Sequence, residues 1–191
     1  MKLKRMMKRN EFYVALIIVA LSVLIQIKSG QFFTANNMVD LARSLIVPGM
    51  MAAGLLMVIA SGNIDVSFPY TAMLCMYFVT KLFADMNYTG PVLVGFLIAA
   101  VMGLFLGAIN GILAAWLKLP TLIITLGTCS IYLGFTQGVL KSRVISTLPK
   151  PLADMAVANL FSVRSASTGL GSSMPISIFL LIGVLLLVHI I

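Results

Sequence analysis

Six long apolar stretches alternate with more polar connectors along this chain. They cover residues 12–27, 44–61, 67–84, 92–117, 120–140 and 174–191. Each approaches the ~20 residues that an α-helix needs to cross a hydrocarbon core of about 30 Å. Because lipid offers no partner for open backbone groups, such segments must be helical. The pattern predicts an all-α polytopic membrane protein, a bundle of about six transmembrane helices in one transmembrane domain spanning residues 1–191.

The composition agrees with this pattern. The chain of 191 residues is 61% hydrophobic and 9% charged. A soluble domain usually carries about 25% charged residues, since its surface faces water. A surface with so few charges must face lipid, which excludes a soluble globular domain.

The basic N-terminus favours a cytoplasmic start. Residues 1–11 include five cations, namely Lys2, Lys4, Arg5, Lys8 and Arg9. Lys and Arg beside an apolar span favour the cytoplasmic side of a membrane. A cleavable signal peptide is the rival interpretation, but no A-x-A-like site follows residue 27. No folded basic surface follows either, so no nucleic-acid partner is expected.

The longest connector, residues 141–173, is polar and rich in Ser, Gly and Pro. With six spans and a cytoplasmic N-terminus it is an external loop, although its four cations oppose the charge rule. Five residues within it have helical spacing, which predicts a short interfacial helix. These are Leu152, Met155, Ala156, Asn159 and Leu160. A plain spacer and a loop that docks a partner both remain open.

Small residues repeat every four positions along the fourth apolar segment. The stripe consists of Gly95, Ala99, Gly103, Gly107, Gly111 and Ala115. Small residues let two membrane helices approach closely, so the stripe predicts helix packing. A stripe that lines a pore is the open alternative. Asn110, next to Gly111, is expected to bond a neighbouring helix.

The fifth segment carries polar side chains on one predicted face. They are Thr121, Thr125, Thr128, Tyr132 and Gln137, three to five residues apart. Lipid-facing positions need no hydroxyls, so this face is expected to point inward. It contacts either other helices or a wet pathway.

Asp65 stands out because it lies in "SGNIDVS", between two apolar stretches. A carboxylate at the centre of a membrane costs about 2.5–3.5 kcal/mol on insertion scales. Gly62, Asn63, Ser67 and Pro69 surround it, and this mixture interrupts a helix. A break that lines a cavity and a short cytoplasmic turn both fit the residues.

Several chemistries are excluded by the residues that the chain has. It has no G-x-x-x-x-G-K-[ST] motif for ATP, and its one histidine, His189, cannot assemble a triad or a zinc site. Asp65 has no second carboxylate in an apolar span for aspartic-protease chemistry. Cys75 and Cys129 lie in separate apolar stretches and are expected to be plain hydrophobes. The chain is therefore expected to be no enzyme and to hold no metal and no cofactor.

Two motifs, in order, resemble a known family. Residues 62–67, "GNIDVS", resemble the G-G-I-D-L-S segment of sugar-type ABC importer permeases, in the ribose-type branch that includes autoinducer-2 uptake systems. Residues 107–128, "GAINGILAAWLKLPTLIITLGT", are similar to the G-x-x-N-G and P-x-[FL]-I-x-T-L-G pattern of that family. Asn63 and the Phe68-Pro69 pair depart from it. Members are longer, so the chain is expected to be a C-terminally truncated, N-terminal portion of a permease.

The resemblance implies the membrane subunit of an importer in a bacterial inner membrane. It implies three partners: an ATP-binding subunit, an external solute-binding protein and a second permease subunit. It implies a pathway for a sugar-like solute lined by Asn63, Asp65, Ser67, Asn110, Thr125, Thr128 and Tyr132. A truncated, non-transporting remnant or assembly protein is the alternative, and a channel or secondary carrier is a third.

Overall fold

The computed structural model describes residues 10–141, 144–164, 169 and 171–190. Most of the basic N-terminal stretch, including its five cations, lies outside the described residues. So does Arg143, together with a part of the predicted external loop.

The described residues form eight α-helices, one π-helical turn and two strands. The helices are α1 (Asn10–Ser29), α2 (Ala35–Ser44), α3 (Ile46–Ala60), α4 (Phe68–Asp85), α5 (Val92–Leu117), α6 (Thr121–Gly134), α7 (Lys150–Val157) and α8 (Ile178–Ile190). The π-helical turn, Phe135–Val139, continues α6. The strands are β1 (Asn159–Arg164) and β2 (Gly171–Pro175), which pair in a two-stranded sheet.

All six apolar segments carry helices, which confirms a helical, polytopic membrane fold. By length and composition, three of the described helical segments are able to span a membrane: Phe12–Ser29, Val92–Leu117 and Thr121–Val139. A fourth span results if the consecutive α2 and α3 count as one broken span. At 13 residues, α8 is shorter than a full span. The count of six therefore stays a prediction.

The chain divides into two compact units. The first comprises Met1–Leu45 and Asn159–Met174, and the second comprises Ile46–Ala158 and Pro175–Ile191. In the first unit, β1 packs on α2, and the Ser172 hydroxyl donates to Asp40 Oδ2 at 2.7 Å. Thr34 caps α2 by accepting the backbone N–H of Asn37 at 3.4 Å.

The predicted interfacial helix exists, but it ends earlier than its pattern suggests. α7 stops at Val157, and Ala158 adopts an extended conformation. Asn159 and Leu160, expected on the helix, begin β1 instead. Strand pairing with residues 171–175 overrides the local helical spacing, and it also delays the start of the last helix to Ile178.

In the second unit, α4 packs against both α5 and α6, while α3 packs on α8. α4 accordingly carries four buried apolar residues, Leu74, Cys75, Val79 and Phe83. α5 and α6 run antiparallel, because only residues 118–120 connect them and Lys118 turns the chain with φ of 53°. The Tyr132 hydroxyl on α6 donates to the Leu106 carbonyl on α5 at 3.2 Å and ties this pair together.

Only one glycine of the α5 stripe packs closely against another helix of the unit. A Cβ at Gly95 would lie 3.0 Å from the Phe83 ring and 3.2 Å from Val79 on α4. At Gly103, Gly107 and Gly111 a Cβ would meet nothing within 4 Å. Helix packing by the whole stripe therefore stays a prediction.

We expect Gly95→Val to destabilise the α4–α5 contact, because the larger side chain overlaps Phe83 and Val79. The free energy of unfolding should fall by about 1–3 kcal/mol, as is typical of overpacking. Gly103→Val is the matched control on the same helix, where the space is open. Thermal unfolding in detergent, followed by circular dichroism, compares the two; an equal fall in both variants would contradict the assignment.

Candidate functional site

The stretch "SGNIDVS", residues 61–67, separates α3 from α4. α3 ends at Ala60, and Gly62 in the turn that follows has a φ of +80°, which suits glycine. The backbone N–H groups of Gly62 and Asn63 bond back to the carbonyls of Ile59 and Val58. Pro69 lies in the first turn of α4, where its missing N–H is not needed. The interruption predicted from Gly62 and Pro69 is therefore present.

Threonines of α6 satisfy the backbone of this stretch. Thr121 Oγ1 accepts the N–H of Ile64 at 3.1 Å, and Thr125 Oγ1 accepts the N–H of Val66 at 3.3 Å. The two acceptors lie one helical turn apart, so they match alternate residues of an extended chain. The predicted polar face of α6 thus binds the break directly.

Asp65 begins a short chain of side-chain hydrogen bonds. Its Oδ1 accepts both the backbone N–H and the hydroxyl of Ser67, at 2.6 and 2.7 Å. Ser67 Oγ in turn accepts the side-chain N–H of Asn110 on α5 at 2.8 Å. The carboxylate also lies beside the N-terminus of α4, where the helix dipole favours an anion. We call Asp65, Ser67 and Asn110 the polar triplet.

The polar triplet lies inside the helix pair rather than level with its end. Asn110 is seven residues before the last residue of α5, which corresponds to about 10 Å along the axis. α5 itself has 26 residues, about 39 Å, which exceeds a core of about 30 Å. The Ser67 end of the break is therefore about 10 Å along α5 from the α5–α6 turn, whereas Ile64 lies level with Thr121 at the start of α6.

A cavity of ≈ 810 Å³ opens beside the break. Asn63, Asp65, Asn110 and Thr125, four of the seven predicted pathway residues, line it. Ser67 is fully buried behind them. The other polar residues that line this cavity are Ser61, in the break, and Thr121, on the predicted polar face of α6.

A second cavity, of ≈ 680 Å³, lies along α4 and α5. Asp65, Gly107 and Asn110 line both cavities, so the two meet at the polar triplet. Every member of the α5 stripe lines one cavity or the other. The second cavity is also lined by three α4 residues that the sequence analysis did not predict, Thr71, Cys75 and Thr80. Thr71 lies four residues after Ser67, a helical spacing that could have identified it.

Thr128 and Tyr132, the other two predicted pathway residues, line neither cavity. Both are buried; Thr128 donates to the carbonyl of Thr125, and Tyr132 bonds α5 as described above. Gln137 is exposed, whereas Thr136, which the sequence analysis missed, is 2% exposed and bonds the Tyr132 carbonyl. Thr136 lies one turn after Tyr132, a spacing that could have identified it.

Charge and unmet hydrogen bonds define the chemistry where the cavities meet. Asp65 is the one charged side chain among the described residues that line either cavity. Asn110 is 8% exposed, and no described residue donates to its buried Oδ1. A buried acceptor without a donor costs about 1–3 kcal/mol, so this oxygen favours any ligand that brings a hydrogen.

Comparison with known proteins places the chain among transport permeases. Residues 37–191 match the family described as branched-chain amino acid transport system / permease component, and the chain belongs to this family. It is similar to the autoinducer 2 import system permease protein LsrC of Escherichia coli O9:H4 (strain HS), with 29% identity over 163 residues, 85% of this chain and 47% of that protein. The LsrC proteins of Salmonella typhi and Yersinia enterocolitica are 29% and 30% identical, over 81% and 78% of this chain and 44% and 40% of their own lengths.

The chain thus spans about half the length of the curated relatives it matches. No solved structure matches it. The family and the apolar helices identify a multi-pass membrane protein of the bacterial inner membrane.

Thr125→Val should loosen the break, because valine keeps the shape of threonine but leaves the Val66 N–H without its acceptor. Amide hydrogen exchange at residues 64–67 should accelerate by about tenfold, the equivalent of one lost hydrogen bond. Exchange measured by mass spectrometry on the chain in nanodiscs checks this.

Thr80→Val is the matched control for that measurement. Its hydroxyl donates to the Met76 carbonyl of its own helix and not to the break. Equal exchange at residues 64–67 in both variants would show that Thr125 does not hold the break.

Proposed function

We propose that this chain forms part of the translocation pathway of an ATP-binding-cassette importer for a sugar or sugar-like solute. The observation that carries the proposal is the meeting of two cavities at a recessed, hydrogen-bonded polar triplet. Irregular backbone at membrane depth occurs where it is buried in protein or lines a cavity. Residues 61–65 line the first cavity, and Ser67 is buried. The solute passes along the lining of α4, α5 and the break.

The lining suits a solute with many hydroxyl groups. Asn63, Asn110, Thr121 and Thr125 offer amides and hydroxyls, which can both donate and accept hydrogen bonds. The name of the relatives, autoinducer 2 import system permease protein, supports import as the direction of transport. Membership in a family of permease components supports the same class of function.

The proposed importer has three further partners. An ATP-binding subunit supplies energy from the cytoplasm, a solute-binding protein delivers the solute from outside, and a second permease subunit completes the pathway. This chain itself catalyses no reaction. Its N-terminus is cytoplasmic, in accordance with the cations at positions 2–9, so that the break and the α5–α6 turn face the cytoplasm.

Asp65→Asn should lower solute uptake by at least about tenfold in cells that co-express the importer's partners. Asparagine keeps the size of the side chain but loses the charge that holds Ser67 and faces the α4 N-terminus; charge-assisted hydrogen bonds are about twice as strong as neutral ones. Uptake of radiolabelled D-ribose provides the measurement.

Asp85→Asn is the control for Asp65→Asn, because Asp85 is exposed and pairs with Lys81 at the far end of α4. Co-purification of the ATP-binding subunit with each variant separates transport from assembly. Full uptake by the Asp65→Asn variant would show that Asp65 is not a pathway residue. Failure of the unsubstituted chain to bind any ATP-binding subunit would count against the importer function.

A further inference from the structure

We infer that the polar triplet is a binding site, within the membrane subunit itself, for an uncharged solute that donates hydroxyl hydrogens. The acceptors are Oδ2 of Asp65 and Oδ1 of Asn110. This inference rests on the proposed transport function, because it specifies which class of solute the pathway recognises. It goes further in placing recognition at two named oxygen atoms.

The first support is the hydrogen-bond balance of the triplet. Oδ1 of Asp65 already accepts two hydrogens from Ser67, and one of the two amide N–H groups of Asn110 is donated to Ser67. Among the described residues the triplet leaves over two acceptors, Oδ2 of Asp65 and the buried Oδ1 of Asn110, and one donor, the second N–H of Asn110. A carboxylate oxygen and an amide oxygen can only accept, so the ligand must donate.

The second support is space. Gly107 lies one turn before Asn110 and borders both cavities, and a Cβ there would meet no atom within 4 Å. A solute next to Asn110 therefore has room on the side of α5, where a larger residue would fill it.

The third support is charge. Neither cavity is lined by a described cation, and Asp65 is negative. A carboxylate or phosphate on the solute would face this anion without a paired cation, which disfavours it. An α-amino acid has an ammonium group for Asp65 but brings such a carboxylate with it. A neutral polyol brings hydroxyl donors without adding a charge.

Ala72 provides a reporter position, because it is exposed and lines the second cavity, whereas the chain's own Cys75 is buried. With Ala72→Cys in a full chain that also carries Cys75→Ala and Cys129→Ser, in phospholipid nanodiscs, N-ethylmaleimide labels position 72 alone. We expect millimolar D-ribose to slow this labelling and L-leucine at the same concentration to leave it unchanged.

Asn110→Ala then tests the assigned acceptor. The D-ribose concentration that gives half-protection should rise about tenfold, which corresponds to one hydrogen bond. Ser130→Ala is the control, since Ser130 is exposed and bonds the Leu126 carbonyl of its own helix. Circular dichroism verifies that the Asn110→Ala variant folds. The comparison of D-ribose with L-leucine uses the chain with Asn110 intact and therefore does not depend on that variant.

Two results would overturn the inference: no protection of position 72 by D-ribose, or equal or better protection by L-leucine. Unaltered half-protection in a folded Asn110→Ala variant would do the same. Because labelling needs no partner subunit, its failure is separate from that of the importer. Uptake of D-ribose without protection from labelling would support the importer function and reject the binding site. Protection without uptake would support the binding site and count against the importer function.

Discussion

The backbone donors of residues 61–67 impose the constraint on which the second unit depends. Where helical bonds stop inside a membrane, each N–H still needs an acceptor, because lipid supplies none. Here the acceptors come from α6, through the Thr121 and Thr125 hydroxyls, and from the break itself, through the carboxylate of Asp65. α6 must therefore lie against the break, and the three-residue α5–α6 turn brings α5 with it. The position of Asn110 beside Ser67 follows from that chain of requirements.

The polar residues of α6 have two different roles in this arrangement. Thr121 and Thr125 serve the break, whereas Thr128, Tyr132 and Thr136, farther along the same face, bond carbonyl groups of α5 or of α6 itself. Thr121 and Thr125 line the first cavity, although Thr125 is itself buried, whereas the other three are buried and line neither cavity. One polar stripe thus supports both a cavity and a helix contact, and its residue types alone do not separate the two roles.

Sequence reasoning predicted the helical membrane fold, the interruption at Gly62 and Pro69, and the inward face of α6, since each depends on local chemistry or on a 3.6-residue period. It did not predict the β1–β2 hairpin, because strand pairing joins Asn159–Arg164 to Gly171–Pro175 across a stretch whose local spacing favoured a helix. Nor could it tell that Asn110 bonds Ser67 rather than another residue. Periodicity identifies the face that a side chain occupies, but its partner depends on how three helices meet.

The empty space beside Gly103, Gly107 and Gly111 has a consequence for the size of the cavities. Because an added Cβ at these positions meets no atom within 4 Å, each can become alanine without strain on the backbone. Every such change would trim a cavity by about one methyl group while the hydrogen bonds of Asp65, Ser67 and Asn110 stay in place. Capacity and polarity are thus encoded by different residues of α5. Substitutions at these glycines can therefore resize the cavities in small steps without changing the hydrogen-bonded groups of the polar triplet.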